Sequence, residues 1–561
     1  MDYKQIIANT IKIDGVTSDE ILSLITLPKD LSLGDFALPC FKFAKSLHKA
    51  PQVIAEELTS FDFGDAFSKV EAVNGYLNFM VNKIDQAKTV LDEVLSQGEN
   101  YGKSDIGCGK TVCIDYSSVN IAKPFHMGHM LNTSIGSALY KIYKALGYNA
   151  IGINHLGDWG TQFGKLIVAY KKWGDKKDIE ARGVRGLLDI YVKFHKEAEL
   201  DPTLDEMARH EFKNIEDGQK DALDLFYWFK DITLKEVDKI YKRLDVEFDS
   251  YAGESFYNDK MDVVVDELNE KHLLTLSEGA QVVEFEDDKM PPCIIKKSDG
   301  ATLYATRDLA AAFYRKKTYS FDKALYVVAY QQNLHFKQVF KVINMMGYDW
   351  SKDMYHVAHG MVSLENGALS TRDGNVVFLE DVLNTCVKKA KKVIEEKNPN
   401  LDNKDEVAEQ IGVGAVIFAM LYNSRIKDIT FSEDKVLSFE GETGPYVQYT
   451  YARCNSLLEK CGDIVGDIDY EGINNEYAAE VIRTITKFKD TLIEAADRFE
   501  PYLVTRFAVE LAQNFNKFYF ECNILNAPQG IKNARLLLTK AVQQVLRNAL
   551  KLLGIQTPNK M

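Results

Sequence analysis

A β-branched run, TVCIDY at residues 111–116, and a second strand candidate, NAIGIN at 149–154, flank a polar loop and a helical stretch that ends near residue 146. A strand that feeds a helix and then a second strand of the same kind returns by a crossover, which places the two strands parallel with the helix on one face of the sheet. This βαβ unit commits the chain to a parallel α/β domain. Further strand candidates, ALYVVAY at 324–330 and MYHVAHGMV at 354–362, extend the sheet. A charged, mostly helical stretch at about 175–260 interrupts it as an insertion. Before it, residues 1–106 open with helical periodicity and reach the alternating segment NGYLNF at 74–79, the pattern of a small α+β domain. From residue 380 onward nearly every window is an amphipathic helix, so 380–561 is expected to be an all-α domain. With a core of its own, that domain is expected to leave the α/β domain 107–379 folded if the chain is cut before Ser438.

Composition removes several classes of protein. At 561 residues with 46% hydrophobic and 27% charged side chains, the chain has the makeup of a globular protein with several cores. The apolar run at 413–422 falls well short of the ~20 residues a membrane-spanning helix needs, and the N-terminus lacks a basic segment followed by an apolar one. No membrane partner is expected, and a cytoplasmic location is. Eight cysteines lie scattered without a C-x-x-C pair, which argues against a disulfide scaffold and against a structural zinc. The net charge of −14 is unlike that of a non-specific nucleic-acid binder, but residues 501–561 hold eight Lys/Arg against two Asp/Glu. An acidic body with a basic C-terminal segment leaves a polyanion partner open there.

Several short motifs fail. Residues 109–111, GKT, suggest a phosphate loop, but the glycine required five positions earlier is Ser104, and the motif precedes a strand instead of following one. GDWGTQFGK at 157–165 has the wrong spacing, and His356 and His359 have no carboxylate or cysteine nearby to complete a metal site. The loop after the first strand does better. It reads DYSSVNIAKPFHMGH at 115–129, with His126 and His129 around Gly128 at the start of a helix. Imidazole donors, the positive end of a helix and a bare backbone suit a nucleotide phosphate.

These residues resemble the class I aminoacyl-tRNA synthetases, whose HIGH signature occupies this strand-to-helix turn. SSVNIAKPFHMGH looks like the arginyl form in particular. The resemblance continues through NHLGDWGTQFG at 154–164, SDGATLYATRDLAA at 298–311, QQNLHF at 331–336, STRDGNVVFLEDVL at 370–383 and ETGPYVQYTYAR at 442–453. It implies a Rossmann-like catalytic domain, an N-terminal additional domain and a C-terminal anticodon-binding bundle. It also implies the reaction: arginine is activated by ATP, with its Mg2+, to arginyl-adenylate, and the arginyl group passes to tRNA(Arg). Arginine, ATP and that tRNA are then the partners, no structural metal is needed, and the protein is expected to be a monomer.

The same resemblance assigns residues. His126, Gly128 and His129 would bind ATP, with Gly128 leaving room for adenine. The mobile KMSKS element of class I enzymes is replaced at 369–372 by LSTR, leaving Ser370 and Arg372 at the ATP and Lys123 as the catalytic substitute for the missing lysine. A guanidinium is a planar five-donor cation best met by carboxylates and an aromatic face. Asp115, Asn120, Tyr304, Asp308 and Gln332 are the candidates for arginine, with Asn120 on its backbone. Two departures from the family pattern, Asp115 in place of Glu and Val119 in place of Pro, are expected to shorten the reach of one carboxylate and to loosen the loop. For tRNA the candidates are Asn74, Tyr76 and Asn78 in the N-terminal domain. In the C-terminal helices they are Tyr446, Tyr449 and Arg453 together with Lys532, Arg535, Lys540 and Arg547. The competing readings are another class I synthetase and a tRNA-binding relative that has lost catalysis.

Overall fold

A computed structural model describes residues 3–28, 30, 33–285, 289–297, 304–365 and 377–561. The chain forms two compact units. The first joins residues 1–101 to 454–487 and 510–545. Its sheet contains β1 (Phe36–Pro39), β2 (Phe67–Val73) and β3 (Tyr76–Val81) in the order β1-β3-β2, antiparallel throughout. The β2–β3 connection is Asn74-Gly75, with φ of 52° and 79°, the two-residue turn that matches the twist of a hairpin. Leu38, Leu77 and Phe79 point from this sheet into a core completed by Ile7 and Ile54. In the same unit the helix Lys83–Gln97, capped by Asn82, packs on the helix Glu476–Thr486.

The second unit comprises residues 102–453, 488–509 and 546–561. It begins with β4 (Thr111–Asp115) and β5 (Asn149–Ile153), joined by the helix Met127–Ala145. The insertion forms four helices, Lys176–Arg182, Val184–Leu200, Thr203–Glu216 and Lys220–Arg243. A small antiparallel sheet that the sequence pattern does not announce follows: β6 (Thr275–Ser277), β7 (Ala280–Val283) and β8 (Cys293–Lys296). Then come β9 (Lys323–Tyr326), β10 (Met354–His356), β11 (Val362–Leu364) and β12 (Ile429–Phe431). The main sheet runs β10-β9-β4-β5, every pair parallel, so the order reverses between β4 and β9. In open α/β sheets the crevice at the carboxyl ends of such a pair is where ligands bind.

Three expectations need amending. The run 354–362 is not one strand: β10 ends at His356 and β11 belongs to a separate pair with β12. Between them the backbone turns onto Lys427, where a Cβ at Gly360 would lie 2.4 Å from a carbonyl oxygen, so only glycine fits. The region after residue 380 is therefore helical apart from β12. Nor would a cut before Ser438 spare the α/β domain, because 488–509 and 546–561 fold with it. The hydroxyl of Tyr143, on the helix after β4, donates to the Ala496 carbonyl at 2.8 Å, and Gln448 donates to the carbonyls of Gln410 and Gln556. None of the eight cysteines is in a disulfide, and among the described residues no helix is long and apolar enough to cross a membrane.

Candidate active site

The HMGH turn is built by its own side chains. His126 is the N-cap of the helix Met127–Ala145, and its Nδ1 accepts from the Gly128 N–H at 3.0 Å. His129 Nδ1 in turn accepts from the His126 N–H at 3.4 Å, and the two rings lie 4.0 Å apart. With both Nδ1 atoms accepting, each neutral imidazole carries its hydrogen on Nε2, a donor left over for a ligand. Burial, and after it the charge of Lys123, lowers the pKa of His126. Burial, then His126 and Lys123, lowers that of His129 well below the usual value. At neutral pH the pair is thus two N–H donors and not two cations. The glycine between them serves the fold first, since a Cβ at Gly128 would lie 2.7 Å from Cε1 of His126.

The loop leading into this turn is firmly held. Val119 is buried and its carbonyl accepts from the Gly157 N–H at 3.0 Å, while Ile121 N–H donates to the Gly157 carbonyl at 3.1 Å. The expected loosening by valine in place of proline is therefore not found. The Asn120 side chain lies over Gly157, where a Cβ would stand 2.4 Å from its Oδ1.

At the carboxyl ends of β4, β5 and β9 lies a charged cluster. The helix Tyr304–Tyr319 carries Tyr304, Asp308 and Arg315 at spacings of four and seven, on one face. Tyr304 is exposed, and Asp308 Oδ2 accepts from His335 Nε2 at 2.5 Å while His155 stands 3.9 Å from its Oδ1. Burial works to raise the pKa of Asp308, but the His335 hydrogen bond and the nearby His155 and Arg315 outweigh it, so the carboxyl is held below its usual value. Asp115 is committed elsewhere. Its Oδ2 forms a 2.7 Å ion pair with Arg315, whose side chain is 2% exposed, and its Oδ1 accepts from Ser118. The charge of Lys123 is felt at His126, His129 and Glu254, which joins the HMGH turn electrostatically to the acidic cluster. Gln332 is exposed in a short helical turn, Tyr330–Gln332, that leads to His335.

The family model for the catalytic domain of class I tRNA synthetases (R) matches residues 90–433, the arginyl-tRNA synthetase N-terminal domain matches 1–81 and the DALR anticodon-binding domain matches 447–561. The arginine–tRNA ligases of Clostridioides difficile and Alkaliphilus metalliredigens are 54% and 53% identical, each over 100% of both chains. The chain belongs to the arginyl-tRNA synthetase family. The arginyl-tRNA synthetase of Thermus thermophilus shares its fold, with a TM-score of 0.79 at 23% identity, covering 100% of this chain and 99% of that one.

For a synthetase of this kind, the sequence reading missed His155, His335, Arg315 and Glu254. His155 lies two residues past the end of β5, where the strand-end rule looks for site residues. His335 lies three residues after Gln332 and Arg315 seven after Asp308, and both partnerships depend on contacts no local pattern announces. The LSTR segment with Ser370 and Arg372 falls outside the described residues.

Among the synthetase's tRNA candidates, Asn74 forms the β2–β3 turn, and Tyr76 is partly exposed with its ring edge-on to Phe41. Asn78 needs correcting: it is 3% exposed in the central strand, out of reach of a docking polymer. Tyr449 is exposed with the Arg453 guanidinium 5.0 Å from its ring centre, Tyr446 is half-buried, and Lys540 is exposed. Arg535 spends its hydrogens on the carbonyls of Gly472 and Asn523, and Arg547 donates to the Tyr451 hydroxyl. Lys532 is half-buried.

The two rejected metal candidates each turn one ring nitrogen to a backbone carbonyl in this synthetase. His356 Nε2 lies 3.0 Å from the Val328 carbonyl, and buried His359 donates from Nδ1 to the Gly360 carbonyl, leaving Nε2 without a partner. Burial pushes the pKa of His359 down to about 4. A base with a depressed folded pKa adds stability that is complete above its unfolded value and lost as the pH falls toward the folded one. Acidification from pH 6.5 to 4 should therefore cost up to about 3 kcal/mol. His359→Asn should flatten that slope in denaturation midpoints measured at pH 7 and pH 4.5.

Proposed function

We propose that this arginine–tRNA ligase activates its amino acid at the carboxyl edge of the parallel sheet, with His126, His129 and Lys123 acting on ATP and Asp308 receiving the guanidinium. The observation that carries the reading is the pairing of two fixed Nε2–H donors with an ionised, half-buried carboxylate in one unit. ATP enters as its Mg2+ complex. The arginine carboxylate attacks the α-phosphorus, the bond to the β-phosphate oxygen breaks, and pyrophosphate leaves. The terminal ribose hydroxyl of tRNA(Arg) then attacks the acyl carbon and AMP leaves. Asn120 is suited to the amino-acid backbone, Tyr304 and Gln332 to the guanidinium, and Gly128, Ser370 and Arg372 to the nucleotide. Asp115 reaches arginine only indirectly, through Arg315.

The order of the matched domains supports the second step, with the N-terminal domain at 1–81 and the anticodon-binding domain at 447–561 on either side of the catalytic match at 90–433 in the sequence. Asn74, Tyr76, Tyr446, Tyr449, Arg453 and Lys540 offer polar, aromatic and cationic groups of the kind that grip an RNA backbone or stack an unpaired base. The protein is read as a cytoplasmic monomer. ATP–pyrophosphate exchange measured across the amino acids, with and without tRNA(Arg), tests the whole reading: exchange with an amino acid other than arginine overturns it. Within that assay Lys123→Ala should lower the single-turnover rate of adenylate formation on the order of 100-fold, as loss of a group on transition-state charge does, while tRNA affinity stays nearly intact. A normal rate would hand the role to Arg372.

A further inference from the structure

The loop that carries Asn120 and Lys123 into the HMGH turn contains three non-glycine residues in left-handed backbone, Ser117, Ser118 and Ala122, with φ of 69°, 48° and 61°. Residues other than glycine stay there only where their surroundings hold them. Two hydroxyls from one helix of the insertion, Lys220–Arg243, hold the two ends of this loop. At one end the Ala122 N–H donates to Thr233 Oγ1 at 3.1 Å, and the Thr233 hydrogen goes to the Phe229 carbonyl at 2.8 Å. At the other end the Tyr241 hydroxyl lies 2.7 Å from Ser117 Oγ, and Ser117 Oγ lies 2.9 Å from Thr133 Oγ1. Thr133 Oγ1 is in turn 2.6 Å from the His129 carbonyl, and Asn154 Nδ2 donates to the Tyr241 oxygen at 2.9 Å.

One arrangement of hydrogens gives each of the three hydroxyls in this chain both a donor and an acceptor. The His129 carbonyl only accepts, so the Thr133 hydrogen goes to it. Ser117 then donates to Thr133, Tyr241 to Ser117 and Asn154 to Tyr241. The chain is sealed from water, with Ser117, Thr133 and Asn154 fully buried and Tyr241 nearly so. Buried hydrogen-bond chains of this kind fix geometry, because any displaced member leaves another unpaired.

We propose that Thr233 and Tyr241 are positioning residues for adenylate formation. Their hydroxyls hold the left-handed loop and, through Ser117 and Thr133, the His129 carbonyl, so the helical insertion sets the placement of Asn120, Lys123 and the two imidazoles. The proposal rests on the HMGH turn being the ATP site. Displacement of reacting groups by a fraction of an ångström lowers turnover more than binding. Thr233→Val and Tyr241→Phe should therefore each reduce the single-turnover rate of arginyl-adenylate formation on the order of tenfold. The Michaelis constants for arginine and ATP should stay within about twofold. Thr233→Ser, which keeps the oxygen, should restore the rate.

Full-length enzyme with tRNA(Arg) is the system to use, with active-site titration so that rates refer to folded protein. Unchanged rates per active site in Thr233→Val and Tyr241→Phe, or a Thr233→Ser enzyme as slow as Thr233→Val, would overturn the proposal. If Tyr241→Phe does not fold, the Thr233 pair decides alone. His129→Ala separates the two levels of the argument. A fast His129→Ala enzyme removes the ATP-site reading, whereas a slow one beside a normal Thr233→Val removes only the positioning role.

Discussion

Asp115→Asn should cost this synthetase its folded catalytic unit before it costs any affinity for arginine. Asp115 closes β4, is 6% exposed and holds the Arg315 guanidinium at 2.7 Å, and Arg315 in turn lies 5.3 Å from the centre of the Tyr326 ring. Removing one member of a buried pair leaves the other charge without compensation, a loss of about 3–5 kcal/mol. Domains are stable by only ~5–15 kcal/mol, so the midpoint of urea unfolding should fall steeply. Pairing the change with Arg315→Met, which removes the stranded charge and keeps the bulk, should recover much of the loss. A wild-type midpoint with a raised Michaelis constant for arginine would mean that Asp115 touches the substrate after all.

The case of Asp115 shows what kind of information a sequence holds. Its position at a strand end and its charge are both legible, and the family resemblance assigns it to the substrate; its partner is 200 residues away, and only the fold brings Arg315 to it. The strand TVCID was legible because a parallel strand buried on both faces is written as a β-branched run. The sheet β6–β8 was not, since strands of three or four residues with Leu276 and Ile294 on the outside have no apolar rhythm. Strand β12 hides among helices because the strand it pairs with, β11, lies more than 60 residues earlier. The HMGH turn is the opposite case. Its hydrogen bonds run between residues two and three apart, so the motif and the geometry are nearly the same statement.

Asp308→Asn should raise the Michaelis constant for arginine 30-fold or more and move that for ATP little, since truncating one partner of a desolvated charge pair costs ~2–5 kcal/mol. The substitution keeps the shape of the side chain and its contact with His335, so a loss confined to arginine reports charge and not packing. The pH dependence tells which carboxylate is responsible. His335, His155 and Arg315 together outweigh the burial of Asp308 and hold its pKa below the usual value, so it stays ionised from alkaline pH down through pH 5. Binding of arginine through Asp308 should then be flat across that range. Glu254, 3.6 Å from Arg307, behaves differently: burial pushes its pKa up to about 7 despite the guanidinium. A guanidinium that depended on Glu254 would bind well at pH 8 and lose affinity as the pH fell through 7 and that carboxylate took up a proton. An arginine Michaelis constant that climbs between pH 7.5 and pH 6, in wild type and in Asp308→Asn alike, would move the substrate contact from Asp308 to Glu254.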